Sequence, residues 1–292
     1  MAGPEPYEIH AVRYAHNSAA TRRENFLGGD PHDGPMPLDY FVWAIRGNGR
    51  TFVVDTGFDR AMGARRRREF LRSPGEGLKC IGIDPDTVED VIITHMHYDH
   101  CGNYGLFPRA RYHMQDTEMA YCTGRCMCHP ALRVPFEVED VVAMVRKVFE
   151  GRVTFHDGDR ELAPGISVHK LGGHSKGLQV VRVWTRRGWT VIASDASHFY
   201  ANMEEGRPFH IVHDVEDTVE GYRRLYELAS DRSNVLPGHD PLVLERYPAS
   251  SAGLEGIAVR LDADPRAGSD NHTPPLPASA IQVSAGTGLL VP

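Results

Sequence analysis

The sequence predicts an α/β protein in which strands and helices are stacked in layers. Three features predict it. Apolar strand-like runs alternate with helix-periodic runs along the chain, two pairs of runs form hairpins, and several strand-like runs end in polar residues beside glycine. From Tyr7 to Tyr14 alternation suggests a first strand, followed by a polar loop, GGDPHDGPMP, that ends at Leu38 and is long enough to cover a site. LDYFVWAIR and RTFVVDTG are joined by Gly47-Asn48-Gly49, which supplies the positive-φ residues of a hairpin turn.

Asp59 to Leu71 reads as a helix, and its run Arg65 to Arg68 spreads over every helical face, as expected of a solvated element. Asp84-Pro85-Asp86-Thr87 opens a short helix, with proline near the first turn where its missing N–H costs nothing. VEDVIITH then reads as a buried strand running into a histidine cluster. Helices are expected around Met114 to Tyr121 and Glu137 to Glu150, and strands near Arg152 to Phe155 and Ile166 to Leu171. LQVVRVWT and WTVIASD form a second hairpin that ends in a carboxylate. VEDTVEGYRRLYELAS has helical periodicity, and SNVLPGHD passes from strand to loop. The main domain is expected over 1–263. The remainder from Asp264, rich in Pro, Ala, Gly and Ser, reads as a flexible tail. Residue identities show no internal repeat.

Composition narrows the function. The 292 residues are 41% hydrophobic and 24% charged, and the formal charge is -7, which argues against a general binder of nucleic acid or anionic membranes. No apolar run approaches the roughly 18 residues of a membrane span. MAGPEPYEIH lacks the basic and apolar regions of a secretory signal, so a cytoplasmic location is expected. The five cysteines, an odd number without a framework, read as free thiols. Cys122, Cys126 and Cys128 lack the spacing of a structural zinc site and are expected in a helical lid. There Met119, Tyr121, Met127, Leu132 and Phe136, with Met36 of the early loop, would line a channel or pack a core.

Histidine stands out at 16 residues. Thr94-His95-Met96-His97-Tyr98-Asp99-His100 puts three imidazoles and a carboxylate directly after an apolar strand, a density that packing does not explain. Imidazole and carboxylate are the usual ligands of zinc and its first-row neighbours. His174 in GGHS, Asp195 in IASDAS and His239 in LPGHD also follow strand-like runs. Gly172, Gly173 and Gly238 would allow close backbone approach and positive φ there. Five histidines and two aspartates give each of two metals three terminal ligands plus one shared carboxylate, with room for a bridging water or hydroxide.

These residues resemble the metallo-β-lactamase superfamily, whose hallmark is His-x-His-x-Asp-His followed by a His, an Asp and a His after later strands. The resemblance runs from about Tyr7 to Asp262 and includes the VDTG segment, Val54 to Gly57. Within the superfamily the pattern looks most like the N-acyl homoserine lactonases and the pyridoxolactonase type. It implies a four-layered αβ/βα sandwich with the site at one edge. It also implies His95, His97 and His174 on one divalent ion, Asp99, His100 and His239 on a second, and Asp195 bridging. Zinc is the expected metal, with Mn, Fe or Co also accommodated by such donors.

Those lactonases usually carry a tyrosine three residues after the bridging aspartate. Here that position is His198, with Tyr200 two residues on, and Asp99, His198 or Tyr200 would return a proton to the leaving group. The expected partner is a small lactone or ester, with a homodimer through the Gly/Pro loop as one arrangement. A glyoxalase-II-like thioesterase shares all seven ligand types, so ligand identity does not separate it from a lactonase. A non-catalytic metal-binding module is the remaining alternative.

Overall fold

The structure is a computed structural model and describes residues 5–267. Its strands are β1 (Glu8–Asn17), β2 (Leu38–Gly47), β3 (Arg50–Val54), β4 (Glu69–Phe70), β5 (Asp90–Ile92), β6 (Arg111–Gln115), β7 (Val153–His156), β8 (Arg160–Ala163), β9 (Ile166–Lys170), β10 (Gln179–Thr185), β11 (Gly188–Ser194), β12 (Val235–Pro237) and β13 (Ala258–Arg260). The helices are α1 (Arg60–Arg66), α2 (Pro74–Cys80), α3 (Asp116–Thr123), α4 (Pro130–Arg133), α5 (Val138–Phe149), α6 (Tyr200–Glu205), α7 (Val215–Leu228) and α8 (Leu242–Arg246). One sheet has the order β13-β1-β2-β3-β5-β6-β7, with β4 also paired to β1, and the other the order β12-β11-β10-β9-β8.

Alternation along the strands explains the layering. In β2, Phe41, Trp43 and Ile45 join a core that includes Val168, Val181 and Ile192 of the second sheet and Leu225 of α7. Their neighbours Tyr40, Val42 and Ala44 face the opposite way, into a core with Leu78 of α2, Tyr121 of α3 and Met144 of α5. Both faces of β2 are therefore covered, which is why LDYFVWAI is almost continuously apolar. Each fully buried large side chain contributes ~1.5–3 kcal/mol. The result is helices, sheet, sheet and helices, the four-layered αβ/βα sandwich.

The first hairpin closes as expected: Gly47 pairs with Arg50, and Asn48 (φ 52) and Gly49 (φ 70) both take the left-handed conformation of its two-residue turn. Several boundaries differ from expectation. β1 continues to Asn17, because Leu38 pairs with it across a bulge. The helix expected to Leu71 stops at Arg66, where Arg67 adopts φ 55, and Glu69 and Phe70 pair with β1 instead. Met114 belongs to β6, paired in parallel between β5 and β7, and the helix starts at Asp116. The short helix after Asp84 is a single 3-10 turn, Pro85–Thr87. Most of the expected tail, from residue 268 on, lies outside the described residues. Among the described residues, no helix is long and apolar enough to cross a membrane.

Candidate metal centre

The histidine run begins where β5 ends. Its entry is fixed by Asp55, just past β3, whose carboxylate accepts the Thr94 N–H at 2.7 Å and the Thr94 hydroxyl at 2.8 Å. The following turn is pinned from three sides. The Tyr14 hydroxyl donates to the Asp99 carbonyl at 2.7 Å, the Thr56 N–H to the His100 carbonyl at 2.8 Å, and the Met96 N–H to buried Glu118 at 2.8 Å. Glu118 also accepts the Ser175 hydroxyl and the Gly177 N–H, both at 2.8 Å, so α3 ties the run to the loop that carries His174.

The later positions arrive on loops that only small residues fit. Gly173 has φ 80, and a Cβ there would lie 2.5 Å from the Thr218 hydroxyl oxygen. At Gly238 a Cβ would lie 2.7 Å from the Ser194 backbone, which is the close approach expected, although its φ is not positive. The ends of β9, β11 and β12 thereby deliver His174, Asp195 and His239 to the residues that follow β5.

Asp195 stands between two groups. Its Oδ2 lies 3.2 Å from His174 Nε2 and 3.7 Å from His95 Nε2, while its Oδ1 lies 3.1 Å from His100 Nε2 and 3.0 Å from His239 Nε2. His97 Nδ1 is 2.9 Å from His174 Nε2, and Asp99 Oδ2 is 3.8 Å from both His100 and His239 Nε2. Metal-ligating atoms converge in the sets His95, His97, His174, Asp195 and Asp99, His100, His239. All seven residues expected from the sequence are thus brought together. His198 joins them: its Nε2 is 3.0 Å from Asp195 Oδ2, and its ring stacks on Phe209 at 3.7 Å.

Whether these residues suit a cation is answered by their unused atoms. His95, His100 and His239 are buried, yet their Nε2 atoms have no hydrogen-bond partner, nor has Asp195 Oδ1; the short distances between them are not aligned for hydrogen bonding. Buried polar atoms left this way are costly. The opposite ring nitrogens are all engaged: His95 with Thr94, His100 with Asp55 at 2.7 Å, His174 with the Ile211 carbonyl and His239 with the Asp39 carbonyl, each of the latter two at 2.8 Å. Outer partners on Nδ1 turn the Nε2 lone pairs inward, as at metal centres. The donors fit a divalent-metal site.

Electrostatics divide the imidazoles into two groups, with His95 and His97 lowered and His100 and His239 raised. Burial, with the neighbouring imidazoles, pushes His95 and His97 well below the ordinary histidine range, so both imidazoles are neutral. Burial also opposes charge on His100, but Asp195, Asp99 and Asp55 outweigh it and hold its pKa well above normal. Asp195 is held well below the carboxylate range, because the imidazoles of His100, His198, His239 and His174 outweigh its burial. Burial lowers His198 to about 3 despite Asp195.

A cavity of about 320 Å³ opens onto the cluster, lined by His97, Asp99, His174, Asp195, His198 and His239. Tyr200 does not reach it. Its N–H is held by Asp240 at 3.0 Å at the start of α6, and its buried ring lies against the Arg246 guanidinium, 3.9 Å away, in the core between the sheets. The segment before the Gly/Pro loop, with Asn17, Ala20, Glu24 and Asn25, forms part of the cavity wall, whereas Met36 packs into the outer core. Cys122, Met127 and Phe136 line a neighbouring groove of about 650 Å³ that meets the cavity at Val134. All five cysteines are free. Sequence reading missed Arg66 and Arg68, which line the cavity. The four adjacent arginines read as a solvated helix face, and only the end of α1 at Arg66 turns Arg68 toward the cavity wall.

Fold and site define a class of protein: residues 36–239 match the metallo-beta-lactamase superfamily, and the chain belongs to it. Among curated relatives, it is similar to the N-acyl homoserine lactonase AiiB of Agrobacterium fabrum (strain C58 / ATCC 33970), 31% identical over 56% of this chain and 61% of that one. The namesake from Rhizobium rhizogenes (strain K84 / ATCC BAA-868) is 30% identical over 68% of this chain and 78% of that one. The chain thus spans about three-fifths of the length of the first of these relatives. Among solved structures, a quorum-quenching N-acyl homoserine lactone lactonase superposes with a TM-score of 0.68 at 21% identity, covering 82% of this chain and 95% of that one. That likeness confirms the fold.

Proposed function

We propose that the chain is a metal-dependent hydrolase that opens the ring of an N-acyl homoserine lactone or a related lactone at a dinuclear centre. The observation that carries this reading is Asp195, whose two carboxylate oxygens face two separate ligand sets. His95, His97 and His174 would hold one ion, Asp99, His100 and His239 the other, and Asp195 both. The similarity to N-acyl homoserine lactonases supports the substrate class. Divalent ions supply such a site with a water acidified toward neutral pH and a Lewis acid for the carbonyl oxygen.

The chain's own residues do the rest. Asp99, on the cavity wall, is placed to take a proton from the attacking water and return it to the alkoxide as the ring opens, leaving a hydroxy acid. His198, neutral and packed on Phe209, is suited to hydrogen bonding within the site more than to acid catalysis. Phe136, edge-on to His97 at 4.7 Å, keeps water from that side of the cluster.

The test is a hydrolysis screen of γ-lactones against thioesters on protein of measured metal content, with His97→Ala and Asp195→Ala alongside. Lactone turnover that scales with bound metal and falls by about 100-fold or more in both variants is expected. Thioester cleavage with lactones untouched would replace the substrate assignment, and metal binding without any hydrolysis would leave a binding module.

A further inference from the structure

The fold separates the four arginines that sequence places side by side. Arg65 and Arg66 converge on Glu137 at 2.7 and 2.6 Å. Arg67 is exposed and ends α1 in the left-handed conformation. Arg68 is half-buried and lines the cavity beside the ligand cluster. Its Nε donates to the Tyr98 hydroxyl at 3.2 Å. Among the described residues no carboxylate pairs with it, and its two terminal nitrogens have no protein acceptor. Tyr98 is itself fixed, stacked on Phe58 at 5.6 Å and covered by the Arg66 guanidinium at 4.5 Å, so Arg68 is held by a rigid support. The cavity's carboxylates are otherwise occupied: Asp99 and Asp195 belong to the ligand cluster, and Glu24 accepts the Thr21 N–H.

A half-buried guanidinium on a cavity wall, with terminal N–H groups that no protein acceptor takes, suits a planar anion, which it can grip through two parallel hydrogen bonds. The cavity, about 320 Å³, lies within the range of ligand pockets, roughly 300 to 1,000 Å³, and meets the groove of about 650 Å³ at Val134. We propose that Arg68 binds a carboxylate of the substrate, and that the preferred substrate is a lactone or ester bearing that carboxylate away from the scissile carbonyl. This rests on the hydrolase reading above and specifies its substrate.

The test compares γ-butyrolactone with the same ring carrying a carboxylate, 5-oxotetrahydrofuran-2-carboxylate, on metal-replete wild type, Arg68→Gln and Arg68→Lys. The wild type should favour the charged ring in kcat/KM by about tenfold or more, chiefly through KM. The ratio should collapse toward unity in Arg68→Gln and survive in part in Arg68→Lys. A wild type without preference, or a ratio unchanged in Arg68→Gln, would overturn the proposal. If neither ring is opened, the hydrolase reading is decided by its own screen of lactones and thioesters, and calorimetric titration of the same metal-replete proteins with succinate decides the anion site. Binding weakened by about tenfold in Arg68→Gln supports it. Equal binding, or none to the wild type, overturns it.

Discussion

Asp55 adopts φ 62, a conformation that costs a non-glycine residue ~1–2 kcal/mol, and its buried carboxylate accepts bonds from Thr94 and His100. The strain is offset because the same side chain fixes the start of the ligand run and the tautomer of His100. Asp55→Asn tolerates the backbone and still accepts from Thr94, but presents an amide donor where His100 Nδ1 needs an acceptor. Metal affinity, measured by chelator competition, should fall by about 10- to 100-fold while the circular dichroism spectrum stays native. The seven candidate ligands were legible because dense imidazole and carboxylate after an apolar strand satisfies no packing pattern. Asp55 was visible only as part of VDTG, since its role depends on a contact 45 residues away. The choice between His198 and Tyr200 was not legible either, because the start of α6 decides which side chain faces the cavity.

At the scale of elements, α3 and α5 carry consequences beyond packing. Glu118 of α3 accepts two backbone N–H groups and a hydroxyl, so Glu118→Ala leaves buried donors from two ligand loops unpaired. Urea denaturation should show a loss of ~2–4 kcal/mol. In the first turn of α5, burial together with Glu137 and Asp59 raises Asp140 to about 7. The folded state therefore binds more protons than the unfolded chain between about pH 4 and 7, and stability falls as pH rises through that window. Asp140→Asn should raise Tm relative to wild type by an increment that is small near pH 4 and largest above pH 7; an increment independent of pH would contradict the shift. The hairpin at Asn48-Gly49 was legible because positive φ restricts residue choice. β6 was not, since RYHMQ does not alternate and is extended only through its pairing with β5 and β7.

For the whole molecule, the centre joins the two sheets: the run from His95 to His100 follows β5 of one, and His174, Asp195 and His239 follow strands of the other. Metal bound there would cross-link the halves of the sandwich. A ligand at 100 times its Kd contributes about 2.7 kcal/mol, and 1 kcal/mol moves Tm by about 2–4 °C at this size, so chelation should lower Tm by roughly 5–10 °C. The layered class was legible from alternation, but the strand order was not, because it rests on parallel pairings between distant segments. The central claim, a dinuclear centre bridged by Asp195, is tested most directly by titrating metal-free protein with zinc and measuring tightly bound ions per chain, in wild type and Asp195→Ala. Two ions in the wild type, with loss of at least one in the variant, is the expected result. A wild type that saturates with one ion, or a variant that retains both, would contradict it.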